Sequence, residues 1–284
     1  MLTNQPVLLV AGFIAMITII LLLYLRMRNS GDVSSKLQSL GADEAARWLL
    51  EHKNKLTERA SDIEEALAGK ELQRRWEQRL LRANPDMQTD IVTAVAEFGG
   101  IPGRRWLVRM LNQNNPGVQF AAAASLAKFA DHQLLADIIP LLASKYPGVP
   151  ARVAEIIMAM GKESVDPLLK HMQKADEEKE LVIHILGELG EPEALDQILA
   201  DLYHPRDSVR KEAVIALGKL ADNQQGAEGL ITALRDENWQ VRAQAARVAG
   251  LLGVEEAVSI LNELLNDGRW EVSTQAQKAL KALS

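Results

Sequence analysis

VRKEAVIALGKL, from Val209 to Leu220, is the stretch that decides the fold, because its pattern recurs twice downstream. It returns as VRAQAARVAGLL from Val241 and as VSTQAQKALKAL from Val272, after steps of 32 and 31 residues. Apolar or small residues occupy the first, fifth, eighth, ninth and twelfth positions of each copy, which is the spacing of one face of an α-helix. A fixed period near thirty residues is typical of a solenoid of stacked helical units.

The same pattern extends upstream to anchors at Met87, Val118, Val149 and Glu178, which gives steps of 31, 31, 29 and 31 residues up to the opening stretch. Each of these helices, termed A, is followed by a break and then by a second apolar helix, termed B. Four of the breaks contain glycines, at which the helix is predicted to stop in a left-handed residue: Gly99-Gly100, Gly161, Gly190 and Gly253. The predicted B helices are 102–112, 134–143, 164–174, 192–202, 227–235 and 255–266. Because pairs joined by short turns bury their apolar faces only by stacking, residues 87–284 predict an all-α repeat array.

The runs DSVRKEAVIALGKL and ENWQVRAQAARVAGLLG resemble HEAT repeats of the short, phycobilisome-lyase-like kind. The resemblance is good from about Pro147 to Ser284 and weaker from Asn84 to Tyr146. It implies an α-α superhelix with the A helices outside and the B helices lining the concave side. Members of this family range from scaffolds to bilin lyases and an iron hydroxylase, so the resemblance implies a fold and no single activity.

Residues 1–28 are predicted to form a transmembrane anchor, because Val7 to Leu25 contains no charged residue. At 1.5 Å per residue this run makes roughly 28 Å of helix, enough to cross a hydrocarbon core. A cleaved signal peptide is the alternative, but no Lys or Arg precedes the run, and Arg26 and Arg28 follow it where a small-residue cleavage site would stand. The basic residues after the run place the rest of the chain in the cytoplasm and the amino terminus outside.

Residues 29–36 are predicted to be a flexible linker, since NSGDVSS is polar and contains Gly and Ser. Two interpretations remain for residues 37–86. This segment could be a coiled-coil stalk or a degenerate capping repeat. Stepping 31 residues back from Met87 reaches Leu56, which puts Ala60, Ile63 and Leu67 at the fifth, eighth and twelfth positions and favours the capping repeat.

Composition narrows the function class. The chain has no Cys, which excludes disulfides and thiolate metal sites, and its formal charge of −6 argues against a general nucleic-acid binder. From Ala151 to Ser284 there are 15 basic and 23 acidic residues, a net charge of −8, so the carboxy-terminal half is the acidic half.

The sequence contains no recognisable set of catalytic residues and no cofactor-binding motif. The hydroxylase branch of the family uses His-Glu pairs to hold two irons, whereas none of the five His residues here is followed by Glu. These residues are His52, His132, His171, His184 and His204. We therefore expect no metal, no cofactor and no enzyme activity.

Two tryptophans are candidates for protein binding. Trp239 and Trp270 each precede the first position of an A helix by two residues, so they should lie side by side on neighbouring repeats. Tryptophan is enriched at binding hot spots. The alternative, which we favour, is that both rings pack over the turns between repeats and shield the core.

Acidic residues of the last B helices are the second set of candidates: Asp196, Asp201, Glu263 and Asp267. If the B helices line the concave side, these carboxylates make it negative and would attract a basic partner. Other B-helix acids lie in first turns, where they suit the helix dipole. Arg210 and Arg242, at equivalent positions, are predicted to form a structural ladder with Asp207, Asp236 or Asp267.

Together these features predict a single-pass membrane protein whose cytoplasmic HEAT-like solenoid is a scaffold or adaptor for a protein partner. That partner would be basic or membrane-bound, and the bilayer would be contacted through Val7 to Leu25. No nucleic acid and no small-molecule substrate is expected. The alternative is an accessory lyase or other enzyme acting on a membrane-associated protein.

Overall fold

The computed structural model describes residues 33–129, 132–174, 176–220 and 223–284, with side chains throughout except at 223–225. All regular structure in these ranges is helical, and no strand occurs in them. The chain divides into two compact units, unit 1 from Met1 to Lys128 and unit 2 from Phe129 to Ser284. The predicted boundary at residue 86 therefore lies inside unit 1.

Unit 1 contains eight helices in its described part. They are α1 (residues 33–39), α2 (Ala42–Glu51), α3 (Lys53–Leu56), α4 (Ala60–Ala68), α5 (Lys70–Leu80), α6 (Pro85–Phe98), α7 (Gly100–Leu111) and α8 (Pro116–Leu126). A 3-10 turn, Thr57–Arg59, separates α3 from α4. Residues 33–36 of the predicted linker lie in α1, and Val33 is buried, whereas residues 29–32 lie outside the described residues.

The described part of unit 2 contains ten helices in alternating A and B order. They are α9 (His132–Ile138), α10 (Val149–Met160), α11 (Val165–Met172), α12 (Lys179–Leu189), α13 (Leu195–Asp201), α14 (Asp207–Leu220), α15 (Asn223–Ala233), α16 (Trp239–Leu252), α17 (Val258–Leu264) and α18 (Trp270–Leu283). The even-numbered helices are the predicted A helices. Three B helices begin with a 3-10 turn, and the turns are Gly161–Ser164, Pro192–Ala194 and Glu255–Ala257.

Local sequence explains where the A helices begin and end. The side chains of Asn84 and Asn115 accept hydrogen bonds from the backbone N–H groups of Met87 and Val118, which caps α6 and α8. At the other end, Gly190 and Gly253 stop α12 and α16 in the left-handed conformation, with φ of 69° and 71°. The predicted helix stops at these glycines are therefore confirmed.

The repeat pattern places the core. The fifth and eighth positions of all seven A helices are buried: Ile91, Ala94, Ala122, Ser125, Val153, Ile156, Val182, Ile185, Ala213, Ala216, Ala245, Val248, Ala276 and Ala279. The twelfth position behaves differently, since Phe98 is buried there but the other six residues are only half-buried. The twelfth position lies at the carboxy end of the helix, at the edge of the core rather than inside it.

Small residues allow the A helices of unit 2 to approach closely. A Cβ added to Gly187 would lie 2.8 Å from Ala216 Cβ, and one added to Gly250 would lie 2.7 Å from Ala279 Cα. Both glycines hold the tenth position of their repeat, and both contact the eighth position of the next A helix. Glycine is required there because the neighbouring backbone fills the space of a side chain.

Residues 37–86 pack within unit 1. Helix α2 lies along α6, and α4 lies against α7. Leu72, Trp76 and Leu80 of α5 are buried on one face, as their spacing predicted. Helix α2 therefore lies beside α6, the first regular A helix, whereas the 31-residue step from Met87 predicted that α4 would lie there. The register of that step holds only in part, since Ile63 and Leu67 are buried but Ala60 is exposed.

No helix in the described residues is both long and apolar enough to cross a membrane. The predicted span from Val7 to Leu25 lies outside those residues.

Candidate protein-binding site

Two arginines form the ladder that their repeat position predicted. Arg210 donates from Nε and Nη2 to the carboxylate of Asp236, at 2.7 and 2.9 Å. Arg242 makes the equivalent pair of bonds to Asp267, at 2.9 and 3.1 Å. The Nη1 group of each arginine donates to two backbone carbonyls of the turn before its own helix. Each arginine therefore joins two successive turns, and the predicted structural role is confirmed.

The third residue suggested for this ladder has another partner. Asp207 accepts hydrogen bonds from the backbone N–H of Ser208 and from the side chain of Asn238. It connects the same two turns that Arg210 and Asp236 connect.

The hydrogen bonds of the ladder also shift the pKa values of its charged side chains. The hydrogen bonds from Arg242 hold the pKa of the Asp267 carboxyl below its ordinary value, against the opposing effect of burial. The carboxylate of Asp236 raises the pKa of Arg210 in the same way. Asp267 therefore forms its ion pair with Arg242 within the protein, and its charge is not available to a partner.

The other acidic candidates divide between the interior and the surface. Asp201 is buried, and its carboxylate lies 3.2 Å from Lys179 Nζ and 3.1 Å from Gln197 Nε2. Asp196 on α13 and Glu263 on α17 are exposed, on helices separated by α15. The four residues therefore do not form one surface. Protein binding by Asp196 and Glu263 stays a prediction.

The two tryptophans begin neighbouring A helices but differ in exposure. Trp239 is half-buried, and the guanidinium of Arg269 lies over its ring, 5.6 Å from the centroid. Trp270 is 72% exposed. The shielding interpretation therefore suits Trp239 and leaves Trp270 available for contact with a partner.

An open pocket of about 540 Å³ lies beside α12 in unit 2. Its apolar wall is formed by Leu142, Ala143 and Leu181. Its polar lining consists of Ser144, Glu177, Glu178, Glu180, His184 and Glu212. We call this pocket the acidic recess.

Two of the four carboxylates in the acidic recess have histidine partners. Glu178, which is buried, lies 2.6 Å from His171 Nε2, and Glu212 lies 2.8 Å from His184 Nδ1. Glu177 and Glu180 have no ion-pair partner in the described part of the chain. The lining therefore carries uncompensated negative charge.

The chemistry of the acidic recess suits a long basic side chain. The apolar wall can pack against the methylene stem of a Lys or Arg residue, while the carboxylates bind its charged head. Metal binding requires several side chains that converge on one ion. No group of three or more His, Asp or Glu side chains in the described residues is arranged to hold a metal ion.

The acidic recess was not predicted from the sequence, although two features of the sequence point to it. The step from Val149 to Glu178 is 29 residues, the shortest in the array, and residues 176–180 read DEEKE. The expected acidic surface was on the B helices, whereas the acidic recess lies against the A helices α12 and α14. Helix α12 contacts α10 less extensively than it contacts α14.

Two family profiles match the carboxy-terminal part of the chain. The profile described as HEAT repeats matches residues 227–284, and the profile described as PBS lyase HEAT-like repeat matches residues 209–236. Together the two matches span residues 209–284, which are similar to HEAT repeats. The resemblance of the opening stretch to short HEAT repeats is confirmed for this segment. None of the curated proteins matches the chain significantly.

Several solved structures are similar to this chain at low identity. A computationally designed armadillo repeat protein for modular peptide recognition is 20% identical, covers 73% of this chain and 99% of its own, and has a TM-score of 0.43. Human deoxyhypusine hydroxylase is 15% identical, with coverage of 90% and 96% and a TM-score of 0.37. The CpcE–CpcF complex of phycocyanin lyase from a Nostoc species is 17% identical, with coverage of 71% and 95% and a TM-score of 0.34. Scores this low carry no argument about function.

Proposed function

We propose that this protein is a membrane-anchored HEAT-repeat scaffold that binds a protein partner through a basic segment held in the acidic recess. The single observation that carries the proposal is the uncompensated charge of Glu177 and Glu180 at the mouth of a pocket with an apolar wall. Charged pockets attract partners of opposite sign and select against partners of the same sign. Trp270, which is exposed in the same unit, offers a second contact.

The apolar run from Val7 to Leu25 supports the anchor part of the proposal. A tether to the bilayer raises the effective concentration of any membrane-bound partner, so a weak contact in the acidic recess is enough for recognition. The orientation follows from the basic residues after the run, which place the repeats in the cytoplasm. A reporter fused after Ser284 should be detected on the cytoplasmic side, and detection on the opposite side would contradict this orientation.

Peptide binding tests the acidic recess directly. The full chain in lipid nanodiscs is titrated into a fluorescent peptide rich in Lys and Arg, and into a matched peptide in which Gln replaces the basic residues. We expect anisotropy to report binding of the basic peptide alone, weakening as salt is added. Reversing Glu177 and Glu180 to Lys should weaken that binding roughly tenfold or more.

A matched variant separates local recognition from net charge. Glu255 and Glu256 are exposed and lie in a first turn elsewhere in unit 2. Reversing both to Lys makes the same change in net charge without touching the acidic recess, and should leave peptide affinity near that of the unchanged chain. Equal losses in the two double variants would show nonspecific attraction and would remove the acidic recess from the proposal.

A further inference from the structure

Unit 1 carries a concentrated positive charge on two neighbouring helices. Residues 70–82, which include α5, contain five basic and two acidic residues, and residues 100–112, which include α7, contain three basic and no acidic residues. Arg109 on α7 donates to the side-chain oxygen of Gln73 on α5 at 2.9 Å, so side chains of the two helices meet. Two exposed arginines of α5 are bound to other parts of unit 1: Arg75 to the carbonyl oxygens of Gln38 and Leu40, and Arg79 to the carboxylate of Asp43. We call the remaining exposed basic residues of 70–82 and 100–112 the basic face: Lys70, Arg74, Arg82, Arg105 and Arg109.

The basic face points outward and is little neutralised. Helices α5 and α7 both pack on α4 and α6, so their exposed sides point away from the same two helices. Of the two acidic residues on α5, Glu71 pairs with Arg74 at 3.0 Å and Glu77 is half-buried. Lys70, Arg82 and Arg105 have no ion-pair partner in the described part of the chain. Two apolar side chains accompany them, Leu81 at 42% and Ile101 at 50% exposure.

The chain itself brings the basic face close to the predicted anchor. Only residues 26–32 separate the end of the apolar run from the described start of α1, and seven residues span at most about 25 Å when fully extended. Arg75 on α5 donates to the carbonyl oxygens of Gln38 and Leu40, at 2.8 and 3.2 Å. Helix α5 is therefore held at the carboxy-terminal end of α1, about 10 Å of helix away from Val33, where the described part of unit 1 begins.

We propose that the basic face seats unit 1 on the anionic headgroups of the bilayer that the anchor crosses. This inference rests on the anchor of the proposed function. Basic residues beside a membrane span are attracted to the negative cytoplasmic leaflet, and the attraction acts only within about a Debye length of its surface. The short connection allows the basic face to come within that range. The exposed Leu81 and Ile101 can enter the interface between headgroups and acyl chains, as apolar side chains of surface-bound proteins do.

A site-specific label tests the seating in the full chain. Because the protein has no Cys, Gln78→Cys on the exposed side of α5 supplies a unique labelling site, and Gln277→Cys on α18 supplies a reference site in unit 2. The full chain is placed in nanodiscs whose headgroups carry an acceptor dye, made with phosphatidylcholine alone or with added phosphatidylglycerol. We expect energy transfer from position 78 to rise with phosphatidylglycerol and to fall again at high salt.

Charge reversal identifies the residues responsible. The triple variant Lys70→Glu, Arg82→Glu and Arg105→Glu leaves the ion pairs described above intact. It should shift the equilibrium between seated and lifted unit 1 roughly 100-fold or more toward the lifted state. The control triple Arg235→Glu, Lys278→Glu and Lys281→Glu makes the same change in net charge on exposed residues of unit 2. It should leave the transfer from position 78 unchanged.

The outcomes separate the basic face from the anchor. Sedimentation with pure phosphatidylcholine vesicles at high salt reports the anchor alone, whereas the added effect of phosphatidylglycerol reports the basic face. A chain that fails the first test but binds anionic vesicles in a salt-dependent way would contradict the anchor and keep the basic face. Transfer that ignores lipid charge, or that both triple variants reduce equally, would overturn the inference. So would binding of a nucleic acid or an acidic polypeptide by the basic face with no response to anionic lipid.

Discussion

The guanidinium of Arg242 binds the carboxylate of Asp267 through two parallel hydrogen bonds, and a third group of the same side chain binds the carbonyl oxygens of Asp236 and Glu237. One side chain thus joins the turn before its own helix to the turn before the next. The contact satisfies backbone carbonyls that the end of a B helix leaves without partners. It also sets the distance between successive repeats.

Removing the arginine should therefore destabilise the array. Arg242→Ala leaves the largely buried carboxylate of Asp267 without its cation and two carbonyls without their donor. We expect a loss of roughly 3 kcal/mol in the free energy of unfolding, measured by urea denaturation. Arg247→Ala is the control, because Arg247 is exposed on the same helix and contacts Gln244. Its cost should be within about 0.5 kcal/mol, and equal costs would contradict the structural role of the ladder.

The same pair predicts a pH dependence. Arg242 lowers the pKa of Asp267 in the folded state, so the unfolded chain takes up a proton more readily. The stabilisation is then fully present above the unfolded pKa of about 3.9 and is lost as the pH falls through the lower folded value. The difference in unfolding free energy between the unchanged chain and Arg242→Ala should therefore shrink between pH 7 and pH 3. A constant difference would show that Asp267 does not titrate with folding.

Close helix packing makes a second prediction about stability. In Gly250→Ala, the new methyl group would meet the backbone of Ala279 at 2.7 Å, and the backbone of α18 cannot yield as the end of a flexible side chain could. Alanine gains up to about 1 kcal/mol in helix propensity, but overpacking typically costs about 1–3 kcal/mol, so we expect net destabilisation. Gly268→Ala adds its methyl group to open space and should change the melting temperature little. A more stable Gly250→Ala variant would contradict the close approach of α16 and α18.

Charge insertion tests the register of the repeat. Leu217, on α14, holds the ninth position of the repeat that starts at Val209, and it is fully buried. Leu217→Asp should therefore cost roughly 3–5 kcal/mol in the free energy of unfolding, because it buries an unpaired carboxylate. Leu251→Asp makes the same substitution on α16 at a side chain that is 65% exposed. Circular dichroism and denaturation should show that only the first variant is strongly destabilised. A stable Leu217→Asp protein would mean that this residue faces solvent.

The periodic positions were the part of the fold most open to prediction from sequence. Burial of Ala213, Ala216 and Leu217 follows from spacing alone, because a helix repeats every 3.6 residues and the array repeats every thirty or so. The Arg242–Asp267 pair was also predictable, since its partners recur at equivalent positions. A glycine also recurs at the tenth position of three repeats, in ILGEL, ALGKL and VAGLL. The close helix contact at this position was not predicted from the sequence.

The candidate site was much less predictable. Asp201 and Asp267 stand in the sequence among the acids expected on a surface, yet both carboxylates bind cations inside the protein. Glu177 and Glu212 are far apart in sequence and line one pocket. Pairing partners and pocket walls depend on which side chains from different repeats meet, and one repeat by itself does not specify that.

The helices, their alternation and the residues that form the core can all be predicted from the sequence, because all three depend on local spacing that the chain repeats. Which charges are paired within the protein and which remain unpaired depends on how the repeats stack. Arg242 and Glu180 are both charged residues near the start of an A helix. Folding brings Asp267 within hydrogen-bonding distance of Arg242, whereas it leaves Glu180 facing an open recess. The energy of a charge depends on its neighbours in space, and those are fixed only when the repeats stack.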